Sequence, residues 1–357
     1  MNARTRTRTV VLALAAASVA LVTAACGSSS SSSSDSTTGG GGLSGTLNGS
    51  GSSLQLPYEQ QAIEDFKKVQ SGVTVNYGGG GSGKGRTDLA QGVVDFAGSD
   101  SPIKPADQAT FKGTVLYFPI VIAPITVSYN LSGVSGLQLS GPTLAKIFQG
   151  DITSWNDAAI AAENAGVTLP STPIVIARRS DSSGTTDNFS KFLDQSSGGA
   201  WKLGTGSTLT WPASSQGGNG NGGVAQVVKA TAGAIGYVDY SDAKAAGLTL
   251  AKIKNKAGTY VDPSTDAASA AAAATTLKPD LTFSAIWADG ASAYPITGQS
   301  WVLVYAKQPS QAKADALKAW IGYLIGDGQG TLPGLDYAAL PDAIKAKAQA
   351  QLASITA

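Results

Sequence analysis

The residues best able to do chemistry sit in four turns rich in glycine and serine. They read Gly49-Ser50-Gly51-Ser52-Ser53-Leu54, Gly78-Gly79-Gly80-Gly81-Ser82-Gly83-Lys84-Gly85, Gly98-Ser99-Asp100 and Arg178-Arg179-Ser180-Asp181-Ser182-Ser183-Gly184-Thr185. Glycine lets a backbone approach a ligand closely. A helix starting just after such a turn aims unpaired N–H groups and the positive end of its dipole at the same point. Ser and Thr hydroxyls there are further donors to an oxyanion. Any one of these turns has a plainer explanation, a serine N-cap with glycine shaping the turn. Four together, with arginine in one and aspartate in another, point to an anion site.

Other chemistries are excluded by what is missing. The 357 residues include no histidine and one cysteine, which removes Ser-His-Asp and Cys-His catalysis, zinc sites of Cys and His, and any internal disulfide. The formal charge is +1, and no long basic stripe follows the first eight residues, which argues against nucleic acid. Gly78 to Lys84 fits the G-x-x-x-x-G-K of a phosphate-cradling nucleotide loop, but Gly85 stands where Ser or Thr must hold magnesium. Gly49-x-Gly51-x-x-Leu54 lacks the third glycine of a dinucleotide fingerprint. No cofactor and no metal are therefore expected. A secreted phosphoester hydrolase with Ser53 or Ser183 as nucleophile would need a base or metal cluster, and nothing resembling either accompanies these serines.

The turns need elements to hold them. Short apolar strands are expected over 43–48, 73–77, 93–97, 174–177, 233–240 and 301–306, each next to a helical stretch, and all four turns fall at carboxyl ends of strands. Helical spacing puts Ala62, Ile63, Phe66 and Val69 on one face, predicts a short helix near 87–91, and makes Leu317, Trp320, Ile321 and Leu324 a core stripe of a helix over 311–325. The alanine run 267–274 reads as a helix with a thin apolar face. This βαβ order implies parallel sheets in an α/β protein. The length suits two domains.

The chain opens as an address. Arg4, Arg6 and Arg8 precede an apolar run from Val10 to Ala25 that is too short for a membrane span and suits a secretory signal over 1–25. Without that segment the formal charge becomes −2, since three arginines and no acid leave with it. Thr23-Ala24-Ala25-Cys26 resembles the lipobox of bacterial lipoproteins, which implies lipid on Cys26 as the first mature residue; the family usually has Leu at the position of Thr23. Residues 26–42, mostly Ser and Gly, read as a flexible tether.

Taken in order, GSGSSL (49–54), VNYGGGGSGKG (75–85), VDFAGSD (94–100), RRSDSSGT (178–185), GNGNGG with GAIGYVDY (218–240) and YPITGQSW (294–301) resemble the phosphate-binding proteins of bacterial ABC importers over almost all of 43–357. The resemblance implies a periplasmic binding protein fold of type II, two α/β lobes joined by a two-strand hinge with the ligand in the cleft. It places one lobe at 43–122 plus 296–357 and the other at 125–293. Carried across by motif, the phosphate ligands are Ser53 and Leu54, Ser82, Asp100, Arg179, Ser183, Gly184 and Thr185, with Asp181 pairing the arginine. The family usually has Thr-Phe-Pro where this chain has Ser53-Leu54-Gln55. The implied protein is no enzyme. It is a monomeric receptor, lipid-anchored on the extracytoplasmic face of the cell membrane, that hands phosphate to permease subunits driven by a cytoplasmic ATPase. A receptor for another tetrahedral oxyanion is the nearest alternative.

Overall fold

The computed structural model describes residues 42–357. The secretory segment 1–25, Cys26 and all but the last residue of the tether lie outside them. In chain order, the elements framing the turns are β1 (Gly45–Gly51), α1 (Leu56–Val69), β2 (Val73–Gly78), α2 (Ser82–Gln91), β3 (Phe96–Ser99) and β4 (Val115–Tyr129). They continue with β5 (Val175–Arg179), α3 (Gly184–Ser196), β6 (Gln216–Gly218), α4 (Gly220–Ala230), β7 (Ala234–Asp239), β8 (Ile296–Tyr305) and α5 (Gln311–Ile325).

The strands follow the order β2-β1-β3-β8-β4-β7-β5-β6. At one end β1 pairs in parallel with β2 and β3, and at the other β5 pairs in parallel with β6 and β7, as βαβ order predicts. The centre departs from that expectation. β8 runs antiparallel to β3 and β4, and β4 runs antiparallel to β7, so the sheet is mixed.

β4 is the strand least visible in sequence, because Pro119 and Pro124 interrupt its apolar run and proline cannot donate to a ladder. Both prolines fall where the ladder changes. Pro119 lies opposite Trp301, next to a register shift between Ser300 and Trp301. Pro124 is the last β4 partner of β8, and Ile125 begins the pairing with β7. β4 thus belongs to both halves of the sheet.

Packing locks the turns to this frame. On α5, Leu317, Trp320, Ile321 and Leu324 are fully buried, and the Trp320 ring lies 5.2 Å from Phe66 of α1 and 6.4 Å from Phe96 of β3. α1 buries Tyr58, Ala62 and Phe66, while Val69 is exposed at the last turn and does not share that face. α2 starts five residues earlier than expected, at Ser82. Gly80 and Gly81 take positive φ there and bring the chain round into the helix. The alanine run forms Thr265–Ala273, with Ala267, Ala268, Ala271 and Ala272 buried.

Where β1 ends, Gly51 at φ 138° lies against β3: Ser52 N–H donates to Gly98 O at 2.9 Å, and a Cβ on Gly51 would meet that oxygen at 2.1 Å. Neither the dihedral nor the space admits a side chain. Gly51→Ala should therefore cost about 3 kcal/mol or more of stability, and urea unfolding of the two proteins measures it.

Candidate anion-binding site

The four turns meet. From the β1–β3 end come Ser52, Ser53, Ser82 and Asp100; from the β5–β7 end come Arg179, Asp181, Ser183, Gly184 and Thr185. Gly83 N–H donates to Ser182 O at 2.9 Å across this contact. A Cβ on Gly184 would lie 2.3 Å from Ser82 Oγ and 2.6 Å from Asp100 Oδ2, so only glycine lets the start of α3 come so near the acid.

Asp100, 1% exposed, is the centre of the β1–β3 side. Its Oδ1 accepts from Ser52 Oγ and from Ser300 Oγ at 2.7 Å; its Oδ2 accepts from Ser82 Oγ at 3.2 Å. Its backbone is held as well. The N–H donates to Ser82 Oγ at 3.0 Å, and the carbonyl accepts from Asn188 Nδ2 at 2.8 Å. Burial pushes the Asp100 carboxyl above its ordinary value, although the Ser52 and Ser300 hydroxyls, the Arg179 charge and the Ser82 hydroxyl all pull it down.

On the other side Arg179 presents its fork to Asp181. Nε donates to Oδ1 at 2.7 Å and Nη2 to Oδ2, while Nη1 reaches Thr185 Oγ1 at 3.3 Å. Burial alone would raise Asp181, but the hydrogen bonds and charge of Arg179, with Gly220 N–H at 3.2 Å, outweigh it and hold the carboxyl below its usual range. Arg178 is only half-buried and turns to Ser215 Oγ, away from this pair. Ser183 Oγ caps α3 by accepting from Thr186 N–H at 3.1 Å.

Of the residues expected from sequence, Ser82, Asp100 and Gly184 converge directly, and Arg179, Asp181 and Thr185 form a second group. Ser53 joins Thr185 through Asn221, whose Nδ2 donates to both hydroxyls, at 3.3 and 3.2 Å. The Leu54 N–H points to Ser52 Oγ at 3.0 Å. Four residues of this cluster were not singled out beforehand: Ser52, Asn188, Asn221 and Ser300. Ser52, Asn221 and Ser300 lie inside quoted motifs, but only the fold decides which serine of the Ser52-Ser53 pair faces Asp100. Asn188 lies one turn into α3 and had no sequence signal. Asn221 Oδ1 is buried without a hydrogen-bond partner among the described residues.

The arrangement offers the buried Asp100 carboxylate and Asn221 Oδ1 as acceptors, with several hydroxyl and amide donors and a fixed guanidinium. That is a receptor's chemistry for a small oxyanion carrying a proton. Among the described residues no group of three or more Cys, Asp or Glu side chains is placed to hold a metal ion, and no helix is long and apolar enough to cross a membrane.

Comparison with known proteins places the chain. A family model described as a PBP superfamily domain matches residues 36–327. Phosphate-binding protein PstS 3 of Mycobacterium leprae is 38% identical over 317 residues, 85% of each chain. Phosphate-binding protein PstS of Pasteurella multocida is 35% identical over 312 residues, covering 86% of this chain and 89% of its own. Among solved structures, the periplasmic phosphate-binding protein PfluDING bound with phosphate superposes with a TM-score of 0.72 at 21% identity, over 86% of this chain and 94% of that one. The fold is accordingly of the periplasmic binding protein type with two lobes, and the chain belongs to the PBP superfamily and, within it, to the family of the PstS phosphate-binding proteins.

Proposed function

We propose that the protein is an extracytoplasmic receptor for inorganic phosphate that delivers its ligand to an ABC importer. The observation that carries this reading is the buried Asp100 carboxylate, which accepts from Ser82 of α2 and lies against Gly184 at the start of α3. As a carboxylate Asp100 only accepts, and phosphate at neutral pH still carries an O–H to give it. Sulfate has none, so its oxygen would face Asp100 with no proton between them, and such an unpaired buried contact discriminates by orders of magnitude. The phosphate ligands are Ser53, Leu54, Ser82, Asp100, Arg179, Ser183, Gly184 and Thr185. Asp181 holds the Arg179 fork in place.

Capture requires the turns to part. The lobes we assign, 43–122 with 296–357 and 125–293, meet where β4 changes partner at Pro124 and Ile125, and that change of partner supports assigning the hinge to this stretch. Receptor rather than hydrolase is supported by the serines themselves. Ser53 Oγ accepts from Asn221 N–H at 3.2 Å and Ser183 Oγ caps its helix, so neither hydroxyl is paired with a base. The receptor works as a monomer. Lipid at Cys26 and the tether hold it at the cell membrane, within reach of permease subunits coupled to a cytoplasmic ATPase.

Three measurements check this. Arg179→Ala should weaken phosphate binding by at least ~2 kcal/mol, roughly thirtyfold, because a buried charge-assisted contact is lost and Asp181 is left unpaired; Arg178→Ala should cost far less. Equal losses in calorimetry would remove Arg179 from the site. Asp100→Asn removes the charge at nearly constant shape and supplies an N–H₂ donor, so the affinity for sulfate relative to phosphate should rise. An unchanged ratio in paired titrations would mean that another group discriminates. Intact mass of the native protein should show acyl addition with Cys26 as the first residue, and a Cys26→Ser variant should leave the membrane fraction or persist as precursor.

A further inference from the structure

Behind Asp100 a chain of polar side chains runs into the core. Ser300 Oγ lies 2.7 Å from Asp100 Oδ1 and 2.5 Å from Gln55 Oε1; Gln55 Nε2 lies 2.8 Å from Glu59 Oε1. Ser300, Gln55 and Glu59 are all completely buried. Gln55 stands where the family usually has proline, which could neither donate nor accept here. Glycine at position 98 makes the room: a Cβ there would meet Gln55 Nε2 at 2.5 Å.

The hydrogens along this chain are too few for both of its ends. The Ser300 hydroxyl carries one, yet two acceptor oxygens lie within reach. If Glu59 is ionised, Gln55 must turn its N–H₂ to it, its Oε1 then claims the Ser300 hydrogen, and Asp100 Oδ1 keeps only Ser52. If Glu59 is protonated, it donates to Gln55 Oε1 with the amide turned over. Gln55 then donates to Ser300 Oγ, and Ser300 donates to Asp100. An amide fills the same space in either orientation, so the reversal needs no backbone movement.

We propose that Glu59, acting through Gln55 and Ser300, is a positioning residue whose proton sets the hydrogen bonds that Asp100 accepts, so that phosphate is held more tightly with Glu59 protonated. This rests on the phosphate reading of the site. Burial pushes the Glu59 carboxyl up to about 8, against the lowering effect of the Gln55 hydrogen bond, which places its titration within a usable range. Glu59 Oε2 is buried with no hydrogen-bond partner, and no ion pair to Glu59 occurs among the described residues. The titratable groups that face it are Tyr58 on α1 and Tyr77 on β2, both raised by burial and then by the Glu59 charge, and so neutral throughout. Beyond the relay stand Asp100 and, across the site, Arg179. The sign follows: an anion at Asp100 opposes ionisation of Glu59, so binding takes up a proton there. By reciprocity, affinity falls as Glu59 loses its proton.

The test is calorimetric titration of phosphate into the full protein and its Glu59→Gln and Gln55→Leu variants from about pH 6.5 to about pH 9.5. Ionisation of phosphate itself is common to all three and cancels in ratios of dissociation constants. Across that range the wild-type constant should rise relative to that of Glu59→Gln by at least ~5-fold, the low end of known couplings. Near pH 8, titration in buffers of different ionisation enthalpy should show proton uptake by the wild type beyond that of the variant. Gln55→Leu, which cuts the relay and leaves Glu59 without its partner, should lose the same step, and it serves if Glu59→Gln does not fold. A pH-independent ratio with tight phosphate binding, or equal proton uptake, overturns the relay and leaves the receptor standing. A wild type that does not bind phosphate overturns both.

Discussion

A carboxylate that must stay an acceptor inside the protein is the constraint on which the rest of this structure depends. Burying an unpaired charge costs several kcal/mol or more, and a carboxyl left to itself would answer by taking a proton and ceasing to be an acceptor. Hydroxyls from three separate elements offset part of that cost at Asp100: Ser52 after β1, Ser82 at the start of α2 and Ser300 on β8. β1 must therefore end, α2 begin and β8 pass at one point. The close glycine contacts at Gly51, Gly98 and Gly184 are what let the backbones do so.

The mixed centre of the sheet serves the same cluster. Ser300 comes to Asp100 from a distant part of the chain on an antiparallel strand. That strand is β8, antiparallel to β3 with Trp301 opposite Ser99, and the register shift beside Ser300 sets which way that hydroxyl points. β4 then continues past β8 to pair with β7, so the strand that supports Ser300 also reaches the half of the sheet that carries Arg179.

Much of this was legible in the sequence because glycine turns, strand runs and helical stripes are local signals. The four turns, the core stripe of α5 and the parallel ends of the sheet all follow from spacing. What was hidden is what depends on contacts between distant segments. β4 was obscured by Pro119 and Pro124, which are tolerated only because a register shift and a change of partner coincide with them. The choice of Ser52 over Ser53 as the Asp100 donor depends on a turn geometry fixed by Gly51 against Gly98. Asn188 meets the Asp100 carbonyl across 88 residues, and nothing in its neighbourhood announces it.

Charge balance sets what Arg179 can contribute. Asp181 takes two of the Arg179 bonds and stays ionised, so the pair is close to neutral as a unit. Asp100 adds an acceptor and no positive charge. An anion entering such a site gains little from net attraction. On the proposed reading it is held by short contacts to hydroxyls and N–H groups that must match its oxygens one by one. Recognition by position in this way is more selective than recognition by charge, because a wrong proton count leaves a buried pair of acceptors face to face. It also makes the site sensitive to any change in the direction of a neighbouring hydroxyl, and that is why a side chain as remote as Gln55, placed where a proline would have been silent, can influence what Asp100 accepts.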